Sequence, residues 1–239
     1  MIIDQMFKNL RFVSFFLAKI SALFAFVVFT SLNSIAGTYE FSVYGGMNHP
    51  AHSSVKFSGA ASSYGISDGS YSTDGWKGKS FESPVYYGLR LDYWLDNKPW
   101  GLGVDFNHSK VIAEKLPAGL RRLEFTDGLN TLTLTGLYKT NEKIFFDLQP
   151  YLGVGVGISY PHVEITGTSS SSGRTYEYQS TGIAYQILGG LKFSLHENWG
   201  GFAEYRLTFT PLEADLNGGG KFKSDINNSQ LSLGITYKF

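Results

Sequence analysis

The chain has 239 residues with 20 basic and 20 acidic side chains, and 17% of its residues are charged while 16% are aromatic. This near-neutral balance provides no positive field for nucleic acid, and the low charge with many aromatics argues against disorder. Because the sequence contains no Cys, a disulfide scaffold and thiolate metal sites are excluded. The length suits one domain of the size of a barrel or a sandwich.

The first 36 residues are predicted to be a cleavable export signal. A short basic region ends at Arg11, an apolar run follows from Ile20 to Thr30, and Ser34-Ile-Ala36 offers the small residues that a signal peptidase needs. The alternative is a retained membrane anchor, which Lys19 makes costly. Residues 37–239 are then expected to form the folded domain.

From residue 39 onward the sequence alternates with period two, which predicts strands with one apolar and one polar face. Leu89 and Leu91, for example, fall on one face of their segment, while Arg90 and Asp92 fall on the other. The predicted strands cover residues 39–47, 85–95, 100–108, 131–138, 151–158, 183–193, 199–209 and 230–239. The fold class is therefore all-β with eight strands.

Three features favour a membrane barrel over a soluble sandwich. The connections alternate in length, as in outer-membrane barrels with short periplasmic turns and long outside loops. The long connections are 48–83, 110–128, 160–178 and 210–228, and the short ones are 96–99, 140–147 and 196–198. Aromatics such as Trp100 and Trp199 gather at the short-turn side, as in an interfacial girdle. The final Tyr237-Lys-Phe239 is similar to the sorting signal that the outer-membrane assembly machinery recognises.

These features predict an eight-stranded antiparallel transmembrane β-barrel in a Gram-negative outer membrane, with its long loops facing the cell exterior. So small a barrel has an interior that side chains fill, which excludes a general porin. The predicted inward charges balance: Glu40, Asp92, Asp105, Glu204, Arg90, Lys192, Arg206 and Lys238. We expect them to form a plug of ion pairs.

Four of the five His fall toward the long-loop end, together with several charged residues. The set comprises His49, His52, His108, His162, Glu82, Lys110, Glu124, Asp127, Glu164 and Glu177. His with a carboxylate can act as a general base pair, and two or three His with a carboxylate can hold a divalent metal. The same residues can also only solvate loops and bind ions that bridge lipopolysaccharide. The Ser169–Ser172 run is typical of a flexible loop tip.

Several rim and loop segments carry residues that strand physics does not dictate. They are Gly78–Gly88, Val104–Lys110, Leu123–Asn130, Pro150–Gly157, Pro161–Glu164, Tyr178-Gln179, Glu204-Tyr205 and Leu216–Gly220. In these segments the chain resembles the outer-membrane lipid A oxidases of rhizobia, within the wider group of OmpA/OmpX-like barrels. Ser83 departs from the family pattern, which has a longer apolar residue before Pro84.

The resemblance implies an oxygen-dependent oxidase that converts the proximal glucosamine of lipid A to 2-aminogluconate and releases hydrogen peroxide. Only a free hemiacetal can be oxidised at the anomeric carbon, so the 1-phosphate must be absent. Hydride removal with dioxygen as acceptor normally needs a flavin or a redox metal. No dinucleotide fold is evident in the sequence, so a divalent redox metal is the expected cofactor and a flavin or nucleotide is not.

The implied reaction leads to a hypothesis for the roles of the rim residues. The catalytic set is His108, His162, Glu164, Glu124 and Asp127, and the hypothetical metal ligands are His52, His108, His162 and Glu164. Lys110 is expected to engage a substrate phosphate or acid, with Glu82 and Tyr178 also contacting substrate. The expected partners are lipid A in the outer leaflet and the assembly machinery, with no nucleic acid, for a monomeric protein.

Two other functions stay open at this point. One is a non-enzymatic structural or adhesive barrel that contacts lipopolysaccharide. The other is a lipid A hydrolase, for which Ser109 beside His108 is the one local hint, although adjacent strand residues point to opposite faces.

Overall fold

A computed structural model describes residues 37–59, 61–168 and 173–239. The predicted export signal (1–36) and loop tip (169–172) lie outside these residues. Within the described ranges, no helix has the length and apolar character needed to span a membrane.

The described residues form thirteen β-strands. In chain order they are β1 (Gly37–Pro50), β2 (Ser54–Ser58), β3 (Gly69–Ser72), β4 (Trp76–Gly78), β5 (Tyr87–Leu95), β6 (Trp100–Ala113), β7 (Leu120–Lys139), β8 (Gln149–Ser159), β9 (His162–Gly167), β10 (Arg174–Tyr178), β11 (Gly182–Ser194), β12 (Trp199–Asp215) and β13 (Lys221–Lys238). Two short 3-10 turns cover Ala61–Tyr64 and Phe145–Asp147.

Eight of these strands close into a ring in the order β1, β5, β6, β7, β8, β11, β12 and β13. The pairing of β1 with β13 closes the ring antiparallel, with Gly45 opposite Leu233. The predicted eight-stranded antiparallel barrel is confirmed. The other five strands, β2, β3, β4, β9 and β10, extend this ring at the end that carries the long connections.

The outer connections differ from the prediction, because much of them is strand rather than loop. β6 continues to Ala113 and β7 begins at Leu120, so the predicted 110–128 loop shrinks to a short turn. The predicted 210–228 loop is likewise mostly the long hairpin of β12 and β13, which pair as far as Asp215 and Lys221. The alternating pattern did not predict these extensions, because the apolar residues move there from the outer face of the strands to the inner face.

The change of face is clearest on β13. Toward the periplasm, Gln230 is buried inside while Leu233 is exposed on the outer wall. Toward the exterior, Ile226 and Phe222 are buried while Lys223 is exposed. An apolar outer surface is expected where the barrel contacts lipid. A polar outer surface around an apolar interior is expected where the sheet contacts water. The inversion between residues 226 and 230 therefore marks the outer boundary of the membrane-spanning part.

Above this boundary the sheet has an apolar core of its own. The core consists of Val55, Phe57, Tyr64, Ile66, Trp76, Val111, Ala113, Leu120, Leu123, Phe125, Leu129, Val163, Ile165, Leu212, Ala214, Leu216, Phe222 and Ile226. Aromatic pairs such as Trp76 with Phe125 and Phe57 with Phe222 pack within it. The extracellular end of the barrel is thus closed by a packed apolar core, and we refer to the part of the sheet around this core as the cap.

Below the boundary the interior is the predicted plug of ion pairs. Arg90 Nη1 lies 2.5 Å from Glu204 Oε2, and Arg206 Nη2 lies 2.7 Å from Asp105 Oδ2. Arg206 also contacts Glu204 at 2.7 Å, so Glu204 joins the two guanidiniums. These side chains are fully buried. Nearer the periplasmic end, the other four predicted charges join the network through the pairs Lys192–Glu40, Lys238–Glu40 and Lys192–Asp92.

Candidate functional site on the outer wall

The candidate site lies on the outer wall at the membrane boundary, where polar side chains that face outward are nevertheless buried. A two-residue excess on β7 creates it. Between Ser109 and Val111 the partner strand advances from Leu129 to Phe125, so residues 126–128 bulge out of the ladder. Bulges re-aim side chains and are over-represented beside active sites.

Gly128 allows the bulge to press against His108. Its φ is 90°, a left-handed conformation that favours glycine. A Cβ atom placed on Gly128 would lie 2.3 Å from Nδ1 of His108. The bulge backbone therefore packs directly on the imidazole ring. Glycine is required at position 128 because of both the positive φ and the close contact with His108.

The hydrogen bonds around His108 fix its tautomer. Its Nδ1 lies 2.8 Å from Oδ1 of Asn130, and Nδ2 of Asn130 donates to the carbonyl oxygens of Asp127 and Tyr160. Since the amide nitrogen is the donor, its oxygen must accept, and Nδ1 of a neutral His108 carries the proton. Nε2 is buried without a hydrogen-bond partner among the described residues, so its lone pair is unused by the protein.

His108 is held between protein surfaces on both sides. The side chain is 4% exposed, and the ring of Tyr87 stacks on it with 4.9 Å between centroids. The expectation that His108 faces outward is confirmed by its contacts with Tyr87, although the ring is covered rather than lipid-exposed.

His162 opens β9 and occupies an aromatic niche. The rings of Tyr176 and Tyr178 meet it edge-on at 4.4 and 4.8 Å, and the residue is 1% exposed. Burial lowers the pKa of His162, although the carboxylates of Asp127 and Glu164 act in the opposite direction. Burial also raises the pKa of Tyr178 to about 12. Both groups are therefore neutral at pH 7.

Asp127 connects the two histidines. Its Oδ2 lies 3.8 Å from Nδ1 of His162, while its backbone carbonyl accepts the Asn130 amide that orients His108. The Asp127 side chain remains 43% exposed. Asp127 thus has a partly exposed side chain beside His162 and a backbone carbonyl that holds Asn130, the partner of His108.

Glu164 is engaged in structural contacts on the next strand pair. Arg122 Nη1 donates to it at 2.7 Å, Thr126 Oγ1 donates at 2.5 Å, and Arg174 Nη2 lies 3.6 Å away. Burial alone would raise the pKa of Glu164, but these hydrogen bonds and charges lower it overall. The same hydroxyl lies 2.9 Å from Oε1 of Glu124, so the two carboxylates share its single proton. Glu124 and Glu164 therefore brace the bulge, and Glu164 is held by partners on three sides.

Lys110 lies two residues beyond His108 on the same strand. It is 8% exposed, and its Nζ donates to the carbonyl oxygen of Ser83 at 3.1 Å. Within the described residues, no carboxylate lies within 4.0 Å of its ammonium group. Glu82 is exposed and pairs with Lys79 at 2.5 Å. Lys110 is thus a buried cation beside the site, while Glu82 is peripheral.

The hypothetical metal set is not assembled. His52 lies beside Gly75 and Glu114 on the cap, next to the Trp76–Ala113 pair, which is five positions farther along β6 than His108. Glu164 is already paired with Arg122. Among the described residues, no group of three or more His, Asp or Glu side chains could hold a metal ion. The donor set therefore does not fit a resident metal, because its members lie on separate faces and are engaged elsewhere.

Several residues of the site were not singled out from the sequence. Tyr87 and Asn130 lie inside segments that carry the family resemblance, so the resemblance was the available signal for them. Arg122, Arg174 and Tyr176 had no such signal. They reach the site because β9 replaces β8 as the partner of β7 above the membrane boundary.

Comparison with known proteins defines the class. The family model described as the outer membrane protein β-barrel domain matches residues 22–239. The chain belongs to this family, and its location is the outer membrane. No curated protein matches it significantly.

Three solved structures show what the chain is similar to within this class. Neisserial surface protein A is 17% identical, with 87% of this chain and 100% of that chain covered and a TM-score of 0.45. The attachment invasion locus protein of Yersinia pestis, in complex with the heparin analogue sucrose octasulfate, is 20% identical with 86% and 100% covered and a TM-score of 0.40. The outer membrane protein AlkL is 16% identical with 87% and 93% covered and a TM-score of 0.46.

Proposed function

We propose that the protein is a lipid A oxidase that works from its outer wall. It converts the proximal glucosamine of 1-dephosphorylated lipid A to 2-aminogluconate and reduces dioxygen to hydrogen peroxide. The observation that carries the proposal is the unpartnered Nε2 of His108 on the outer wall at the membrane boundary, next to the β7 bulge whose Asp127 lies 3.8 Å from His162. The resemblance of the rim segments to lipid A oxidases supplies the substrate.

The level of the site suits a lipid headgroup. Phe106 lies on the lipid-facing wall just below His108, and the interior turns apolar just above it at Val111. A sugar attached to outer-leaflet acyl chains lies at this height. Tyr87 and Tyr178 offer aromatic surfaces to the sugar ring, and Lys110 offers a cation to a phosphate or acid on the headgroup.

The chemistry assigns limited roles to the residues of this chain. His108 Nε2 accepts the proton of the anomeric hydroxyl, and Asn130, held by the backbone carbonyl of Asp127, orients the imidazole ring. The anomeric carbon loses its hydrogen with two electrons, and dioxygen takes up two electrons and two protons to give hydrogen peroxide. The resulting lactone adds water and opens to 2-aminogluconate. A 1-phosphate would block the hydroxyl, so only 1-dephosphorylated lipid A can react.

Transfer of the electron pair to dioxygen needs a redox carrier. Because the described His and carboxylates do not fit a metal, no step is assigned to one. Whether the protein holds a metal is tested separately, by metal analysis of protein that is isolated from membranes without chelator.

The experiment is expression in a Gram-negative host whose lipid A lacks the 1-phosphate, followed by mass spectrometry of the lipid A. We expect a species that is heavier by one oxygen atom, absent without air and accompanied by peroxide. The His108→Ala variant serves as the inactive control, provided that it inserts normally. An unchanged spectrum with the wild-type protein correctly inserted would refute the proposal.

A second candidate is a non-enzymatic barrel that contacts lipopolysaccharide. The separation of His52 from the other two histidines favours it, because the donor set then lacks a redox centre within the described residues. This candidate predicts binding of lipid A with no change in its mass, so the same spectrum distinguishes the two.

A further inference from the structure

Segment 79–86 leaves the barrel wall beside the candidate site. β4 pairs with β6 at residues 111–113, and β5 pairs with the same edge of β6 from residue 108 downward. β4 and β5 thus act as one interrupted strand, and residues 79–86 form an excursion between them. We refer to residues 79–86 as the clasp.

Polar contacts tie the clasp to the wall. Ser80 Oγ accepts from the backbone N–H of Asn48 at 2.8 Å and donates to Asn48 Oδ1 at 2.6 Å. The N–H of Tyr86 donates to the Ser80 carbonyl at 2.8 Å. Lys110 Nζ donates to the Ser83 carbonyl at 3.1 Å. The clasp is therefore a constructed element with a fixed orientation.

This fixed element presents its largest apolar side chain outward. Phe81 is 77% exposed and Val85 is 48% exposed. Along β5 the exposed apolar positions continue with Tyr87 and Leu89, which lie on the wall that faces lipid. The clasp thus continues the exposed apolar stripe of β5 beyond the end of the strand.

Charged groups flank Phe81 in the clasp. Lys79 and Glu82 pair at 2.5 Å and are partly exposed. An apolar tip with an adjacent ion pair matches the boundary between acyl chains and headgroups. A fixed Phe in water would gain nothing from such exposure, whereas burial among acyl chains would stabilise it.

We propose that the clasp inserts Phe81 among the acyl chains of the outer leaflet. The clasp then holds a lipid against the wall at the level of Lys110 and His108. The occupant is the acyl region of an outer-leaflet lipid, because the apolar stripe is continuous with the membrane-facing wall and lies at the boundary that the strand pattern defines. This inference does not depend on the oxidase activity.

The chain contains no Cys, so a single Cys variant can be labelled without background. A nitroxide on Phe81→Cys is compared with labels on Leu233→Cys and Lys223→Cys. Leu233 is a lipid-facing residue of β13 that is 67% exposed, and Lys223 is an exposed residue of the same strand above the boundary. The measurement is the ratio of collision with dioxygen, which enters lipid, to collision with a nickel chelate, which stays in water.

We expect position 81 to give a ratio close to that of position 233 in vesicles of phosphatidylcholine with lipopolysaccharide. A ratio close to that of position 223 would overturn the proposal. Phe81→Trp provides a second readout with a smaller perturbation. Its added fluorescence should be quenched by phosphatidylcholine brominated on the acyl chains, and added emission that resists quenching would equally contradict insertion.

Discussion

Asp127 Oδ2 lies 3.8 Å from Nδ1 of His162, while the backbone of the adjacent Gly128 packs on the ring of His108. Two histidines that are distant in sequence are therefore brought to one bulge of β7. The bulge is braced from below by Asn130 and from above by the ion pair of Arg122 with Glu164.

His108→Ala is expected to reduce lipid A oxidation by about 10²–10⁴-fold, the usual contribution of a general base. The matched control is His52→Ala, because His52 lies on the cap away from the site. The measurement is the fraction of oxidised lipid A by mass spectrometry at equal levels of inserted protein. Equal loss in both variants, or full activity of His108→Ala, would contradict the assignment.

Gly128→Ala should distort the bulge, because a Cβ atom there would lie 2.3 Å from His108 Nδ1 and the backbone has a positive φ. We expect a loss of about 1–3 kcal/mol of local stability together with a loss of activity. Gly136→Ala on the same strand is the control, since its nearest neighbour would be 3.9 Å away. The assay is the heating temperature at which the barrel changes its gel mobility, alongside activity. Equal stability and equal activity of the two variants would show that the bulge conformation at Gly128 is not needed for the site.

Acidification should loosen the β9–β10 hairpin. Burial lowers the pKa of His162 in the folded state, so the unfolded hairpin binds the proton more readily. Its stability is therefore full above about pH 6.5, the ordinary His value, and falls as the pH drops toward the folded pKa. The protection factors of amides 162–167 and 174–178, corrected for the intrinsic exchange rate, should fall as the pH drops from 7.5 to 5.5. His162→Gln should flatten this dependence, and an unchanged slope in that variant would exclude His162 as its source.

The interior plug predicts a large difference between buried and exposed charges. Arg206→Met leaves Asp105 and Glu204 without one of their partners and should cost about 3–5 kcal/mol. Lys223→Met removes an exposed contact with Glu213 and should cost about 0–1 kcal/mol. Urea unfolding in detergent measures both. Similar costs for the two variants would show that the buried network does not hold the barrel.

The sequence was sufficient for the eight ring strands, because their apolar outer face repeats with period two. It was insufficient for the cap, because on β13 the apolar positions pass from Leu231 and Leu233 outside to Ile226 and Phe222 inside. A single alternating pattern ends at that change, and the remaining residues resemble a loop.

The site was predictable in part. The resemblance singled out His108, Asp127 and His162, which the structure brings to one bulge. The pairing of Glu164 with Arg122 and the separation of His52 depend on which strand β7 meets above the membrane. No local pattern encodes that choice, so the proposed metal set could not be tested from sequence spacing.

The most direct test of the central claim is a reaction with purified protein, isolated from membranes without chelator, in vesicles containing lipid A that lacks the 1-phosphate. Hydrogen peroxide and the mass of the lipid A are measured together. An oxidase should give one peroxide for each lipid A that gains an oxygen atom, and neither product without dioxygen or with 1-phosphorylated lipid A. Unchanged lipid A and no peroxide from correctly folded protein would contradict the central claim.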